Sequence, residues 1–127
     1  MIKKLYYDNG KIESINYYLN DKIHRKNKPA CIKFYPNGNI RARNYFLNDL
    51  KHREDGPAIS WYYENGQKNL EIYYLNNLRH RINGPAYISY YEDGNIEEEI
   101  YWINGIECDV LQEMVIRGLE EENKNNM

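Results

Sequence analysis

The chain has 127 residues, a formal net charge of −2 and 14 tyrosines, so it fits one small domain whose apolar surface is largely aromatic. No run of about 18 apolar residues is present, which excludes a transmembrane helix. Residues 1–91 carry 15 Lys/Arg against 8 Asp/Glu (+7) and residues 92–127 carry 2 against 11 (−9), so a basic body joins an acidic end.

The opening MIKKLYYDNG lacks the apolar core of a signal peptide, and a cytoplasmic location is expected. Cys31 and Cys108 share no motif and are expected as reduced thiols rather than a bridge. The abundance of Asn, Lys, Ile and Tyr suits AT-rich coding, as in low-GC bacteria, their phages or large viruses.

The pattern is periodic. Asn9-Gly10, Asn37-Gly38, Asn65-Gly66 and Asp93-Gly94 recur every 28 residues without a gap. Tyr17-Tyr18, Tyr45-Phe46, Tyr73-Tyr74 and Tyr101-Trp102 recur with the same period, as do Pro29-Ala30, Pro57-Ala58 and Pro85-Ala86. Four units result, 1–28, 29–56, 57–84 and 85–112, within a single domain of 1–127.

Each unit reads as strand, turn and returning strand. Pro36-Asn37-Gly38 and its copies fit a three-residue loop: a type I turn closed by a left-handed glycine in a bulge. That loop sets Tyr62 opposite Lys68, Ser60 opposite Leu70 and Ala58 opposite Ile72. One face is then expected to collect Ala30, Ile32, Phe34, Ile40, Ala42 and Phe46, with Ala86, Ile88, Tyr90, Ile96, Ile100 and Trp102. Arg41, Arg43, Asn69, Glu71, Glu97 and Glu99 fall on the other face, beside a row of Tyr45, Tyr73 and Tyr101. The second turn (Asn20-Asp21, Asn48-Asp49, Asn76-Asn77, Asn104-Gly105) fits two or three residues. Proline in DGPA interrupts the ladder at a kink or bulge.

Near the end, Asp109 and Gln112 form a capping box. Val110, Leu111, Met114, Val115 and Leu119 follow at helical spacing, which predicts a helix over 110–122 covering the open end of the last unit.

The stretch YYENGQKNLEIYYLNNLRHRINGPA (62–86) and its copies resemble the MORN repeat in its variant form. That variant occurs in YwqK-type antitoxins of bacteria and in phages and large DNA viruses. The resemblance implies an all-β, antiparallel β-hairpin repeat array of four MORN-like repeats, acting as a binding surface rather than an enzyme.

His24-Arg25, His52-Arg53 and His80-Arg81 repeat with the units. Histidines two strands apart lie about 9.5 Å from one another, too far to share a zinc ion that needs ligands at about 2.1 Å. Ser14, Ser60 and Ser89 lack a nucleophile elbow, and no glycine-rich phosphate loop is present. No catalytic residue, metal ligand or cofactor is expected.

Recurrence in every unit favours a packing role for His-Arg over partner contact. The alternative is a basic, aromatic edge for a partner: Arg41, Arg43, Tyr45, Lys51, His52, Arg53, Tyr73, Arg79, His80, Arg81 and Tyr101. Protein binding is the leading reading. With the resemblance and the composition it suggests a small neutralising protein, an antitoxin or an anti-CRISPR-like phage inhibitor of a bacterial defence or nuclease system. Single-stranded RNA binding through Tyr and His-Arg is the second reading. A self-assembling scaffold, basic body against acidic end, is the third.

Overall fold

The computed structural model describes residues 1–108, with 117 and 118. The first unit supplies β1 (Ile2–Tyr6), β2 (Ile12–Leu19) and β3 (Lys22–Ile23); the second supplies β4 (Cys31–Phe34), β5 (Ile40–Asn44), β6 (Phe46–Leu47) and β7 (Leu50–Lys51). The third supplies β8 (Ile59–Tyr62), β9 (Lys68–Ile72), β10 (Tyr74–Leu75) and β11 (Leu78–Arg79), and the fourth β12 (Tyr87–Tyr90), β13 (Ile96–Ile103) and β14 (Ile106–Cys108). The long hairpins join into one antiparallel sheet in the order β1-β2-β4-β5-β8-β9-β12-β13, with the short hairpins beside it. The expected helix over 110–122 falls outside the described residues, except for Arg117 and Gly118, which are helical in conformation.

The first turn forms as its residues dictate. Tyr35 donates its N–H to the Asn39 carbonyl, Gly38 donates to the Tyr35 carbonyl, and Gly38 sits at φ +92°. The Asn37 side chain accepts the Asn39 N–H at 2.9 Å, and the other three units repeat this bond from Asn9, Asn65 and Asp93. The second turn is a two-residue loop. Asn48 and Asp49 both have positive φ (49° and 67°) and join Leu47 to its partner Leu50, the type I′ geometry that asparagine tolerates.

The face assignment is corrected by a second bulge. Lys33 pairs with Ala42 but Phe34 pairs with Ile40, which leaves Arg41 unpaired; Glu13, Asn69 and Glu97 are skipped in the same way. Beyond this bulge the ladder is offset by one residue, and side chains exchange faces. Tyr62 faces Lys68 as expected, yet Leu70 lies opposite Trp61 and Ile72 opposite Ile59, not opposite Ser60 and Ala58. Ala30, Ala42, Ala58, Ala86 and Ile88 are buried, whereas Ile96 is 51% exposed. The compact core is Ala58, Ile59, Leu70, Ile72 and Tyr74, with Tyr45 and Tyr87 packed against it.

Among the described residues no large side chain is fully buried. A sheet this thin leans on bonds between neighbouring units. Tyr7, Tyr35 and Tyr63 each donate a hydroxyl to a carbonyl of the next hairpin, at Phe34, Tyr62 and Tyr90 (2.5, 2.7 and 2.6 Å). Backbone bonds join the short hairpins, Arg53 N–H to the Tyr74 carbonyl and Asn77 N–H to the Lys51 carbonyl, with equivalents in the adjacent units. Each unit therefore couples to its neighbours alone. Tyr91 is the fourth copy of the donor tyrosine, has no following hairpin among the described residues, and is 52% exposed. We expect Tyr35→Phe to cost about 1 kcal/mol of unfolding free energy, and Tyr91→Phe to leave the unfolding of the dilute protein unchanged. Urea denaturation of both variants checks this.

Candidate binding groove

The His-Arg pairs are inter-unit fasteners. His52 Nδ1 accepts the Asn76 N–H at 2.9 Å, and His24 and His80 accept from Asn48 and Asn104 at 3.0 and 2.9 Å. Each histidine thus caps the type I′ turn of the next unit. An Nδ1 that accepts implies the tautomer with hydrogen on Nε2; Nε2 of His52 lies 3.6 Å from Glu54. The fourth unit has Cys108 where the others have histidine, and it closes the last hairpin among the described residues.

Each arginine stacks on a tyrosine of its own unit and reaches the proline that opens the next. The guanidinium of Arg53 lies 4.2 Å from the Tyr45 ring centroid and donates from Nη1 to the Pro57 carbonyl at 3.2 Å. Arg25 does the same with Tyr17 and Pro29, and Arg81 with Tyr73 and Pro85. A Cβ on Gly56 would stand 2.8 Å from Cζ of Arg53, and one on Gly84 would stand 3.0 Å from Cζ of Arg81. The glycine before proline thus leaves room for the guanidinium, which a larger residue would push aside. Where Lys28 replaces it, Asn27 takes φ +62° and the loop follows another course.

The candidate site lies on the sheet. A groove of about 780 Å³ crosses the first three hairpins. The bulged residues Glu13, Arg41 and Asn69 line it. A second row is Ser14, Lys33, Ala42 and Trp61, paired strand to strand and hence on one face. A third row is Asn16, Cys31 and Asn44, and Leu5, Tyr7, Tyr35 and Tyr62 complete the lining. Trp61 is 46% exposed, and Asn44 Oδ1 is buried with no hydrogen-bond partner.

Fastening positions repeat, while the groove's bulge and central rows vary from unit to unit. Tyr7, Tyr35, Tyr63 and Tyr91 are one residue type, as are the three histidines and three arginines. The bulge position reads Glu13, Arg41, Asn69 and Glu97; the position of Trp61 reads Leu5, Lys33, Trp61 and Ser89. Sequence reasoning missed this groove because the bulge that builds it has no residue type of its own.

Charge and titration fit a binding surface. Burial pushes the Cys31 thiol up, against the lowering effects of Lys33 and of a hydrogen bond with Asn44, so it is held protonated and poorly nucleophilic. Burial, and then the 2.6 Å hydrogen bond from its hydroxyl to Glu71, hold Tyr90 far above the usual phenol range. No disulfide joins Cys31 and Cys108. Among the described residues no group of three His, Cys, Asp or Glu side chains is placed to hold a metal.

The other residues of the expected basic edge lie off this groove: Tyr45, His52 and Arg53 line a smaller pocket with Arg25, and Lys51 and Arg79 line another with Trp102. Arg43 pairs with Ile32 and Ser60, off the groove rows, with its guanidinium 5.8 Å from the Tyr62 ring. Lys51 lies over Tyr74, and Arg79 lies over Trp102 at 4.9 Å while donating to the Tyr74 hydroxyl. Tyr101 pairs with Cys108 at the end of the sheet, where Asp109 stands in place of a stacking arginine. Arg41 alone of that set enters the groove.

Arg53→Ala should destabilise by about 1–2 kcal/mol, from the loss of a stacked cation, the hydrogen bond to Pro57 and an exposed one to Asp55. Gly56→Ala should also destabilise, but much less in the Arg53→Ala background. A double-mutant cycle by urea unfolding reads that coupling. Tyr90, raised in the fold, contributes stability that is complete below the unfolded value of about 10 and lost as pH rises past it. Tyr90→Phe should therefore show a shallower loss of Tm at alkaline pH.

A family model, described as MORN repeat variant, matches residues 2–20, 59–76 and 86–104. These segments cover most of the first, third and fourth long hairpins; the β4–β5 hairpin lies outside them. No curated protein and no solved structure matches the chain significantly. The first, third and fourth long hairpins are thus MORN repeat variants, which relates the chain to the MORN-repeat variant family.

Proposed function

We propose that the chain is a non-enzymatic protein-binding module that takes a segment of a partner protein in the groove around Trp61 and Arg41. The observation that carries this reading is the contrast between repeated fasteners and a groove lined by residues that change from unit to unit. A scaffold that keeps its fasteners and varies along the groove offers an irregular chemical pattern, which suits one partner better than a repetitive one. The groove mixes an exposed aromatic, the opposite charges of Glu13 and Lys33, and the open acceptor of Asn44. Trp and Arg are the side chains from which protein interfaces draw most of their energy. Mixed charge fits a polypeptide better than a polyphosphate backbone, which the acidic run Glu97-Glu98-Glu99 also repels.

The finer form of the proposal is neutralisation: the module acts as an antitoxin or a phage inhibitor, blocking a toxin, nuclease or defence protein by occupying it, in the cytoplasm of a bacterial cell. We also count the β4–β5 hairpin as a repeat of the same kind, giving four. The test is capture from a host lysate with the immobilised chain, followed by mass spectrometry. We expect one specific protein to be retained through about 0.5 M salt and nuclease treatment. Trp61→Ala and Arg41→Glu should release it without lowering Tm, while Lys22→Ala keeps it. Equal retention by the groove variants, or release by nuclease alone, would overturn the reading.

A further inference from the structure

Among the described residues, the two ends of the sheet are strands of opposite charge. Among the described residues, β1 pairs with β2 alone, and every one of its residues is exposed, including Lys3 and Lys4. At the other end, the outer side of β13 is covered by β14 at Tyr101, Trp102 and Ile103. The stretch 96–100 pairs with β12 on its inner side, and Glu97, Glu98 and Glu99 in it are exposed. The same arrangement recurs inside the sheet. In the first unit β3 covers Tyr18 and Leu19, and the next unit's β4 occupies residues 14–16.

We infer that two copies of this chain join end to end, β13 of one receiving β1 of the next as though it began a fifth unit. The internal register sets the fit. Leu70, Glu71 and Ile72 of β9 lie opposite Ser89, Ile88 and Tyr87 of β12. Carried one unit further, Glu98, Glu99 and Ile100 meet Leu5, Lys4 and Lys3 of the second copy. Glu99 then faces Lys4 directly, and Glu98 reaches Lys3 on the diagonal, where opposite charges stabilise antiparallel pairs. Tyr91, exposed in the single chain, would donate to the Tyr6 carbonyl as Tyr63 does to Tyr90. The contact is heterologous and leaves a free β1 and a free β13 at its ends, so it extends to short linear chains rather than closing as a dimer. It stands independently of the groove and its partner.

The experiment is sedimentation velocity of the full chain between about 1 and 500 μM at low salt. We expect a mean mass that rises with concentration and falls as salt is added. A Lys3→Glu/Lys4→Glu variant and a Glu98→Lys/Glu99→Lys variant, all at exposed positions, should each stay monomeric alone. Mixed together they should associate, because each supplies the edge that the other has lost. Tyr91→Phe should weaken association several-fold while leaving the charges untouched. A wild type that is monomeric throughout would overturn the inference. So would association that survives in either charge variant alone, or a mixture that stays monomeric.

Discussion

A β-hairpin with one bonded side leaves a row of backbone N–H and C=O groups facing outward, and this structure answers that need by repetition. Each unit presents the edge that the next requires, at a spacing that every 28 residues restores. The rest follows from keeping that junction. Donor tyrosines, turn-capping histidines and the backbone bonds between short hairpins all lie at unit boundaries, where a thin sheet cannot rely on a deep core. Arginine serves the same end inside each unit, holding the loop before proline so that the chain enters the next strand correctly.

The junction's demands leave the sheet face free. One bulge per hairpin, always at the same place, turns Glu13, Arg41 and Asn69 toward the groove without disturbing the fasteners. Structure and proposed recognition thus occupy different positions of one repeat. Under our reading, the partner is selected by residues that the fold does not need, and the terminal edges, which the fold leaves open, carry the contact between copies.

Much of the fold was legible in the sequence. The period, the hairpin array and the three-residue first loop followed from Asn-Gly spacing and from proline at the loop's first place, as in Pro36. The face assignment failed because a bulge of two residues against one has no sequence mark: its position holds Glu, Arg, Asn and Glu. The second turn stayed open because asparagine suits several loops; positive φ at both residues, as at Asn76 and Asn77, defines it only in three dimensions. Recurrence favoured a structural role for His-Arg, but the acceptor role of His52 depends on a turn 24 residues away. Arg53 shows the mixed case. Its pairing with Asp55 at 2.9 Å joins residues two apart in the chain, while its closeness to Gly56 is visible only in the packing.

Amide hydrogen exchange measured residue by residue by NMR tests the central claim that unit junctions hold the sheet together. The account predicts that the N–H groups of Asn48, Asn76 and Asn104, turn residues that accessibility alone would leave fast, are protected because histidine nitrogens accept them. Substituting His52 should release Asn76 first, and Asn48 least. Exchange of all three at unprotected rates in the intact chain would contradict it.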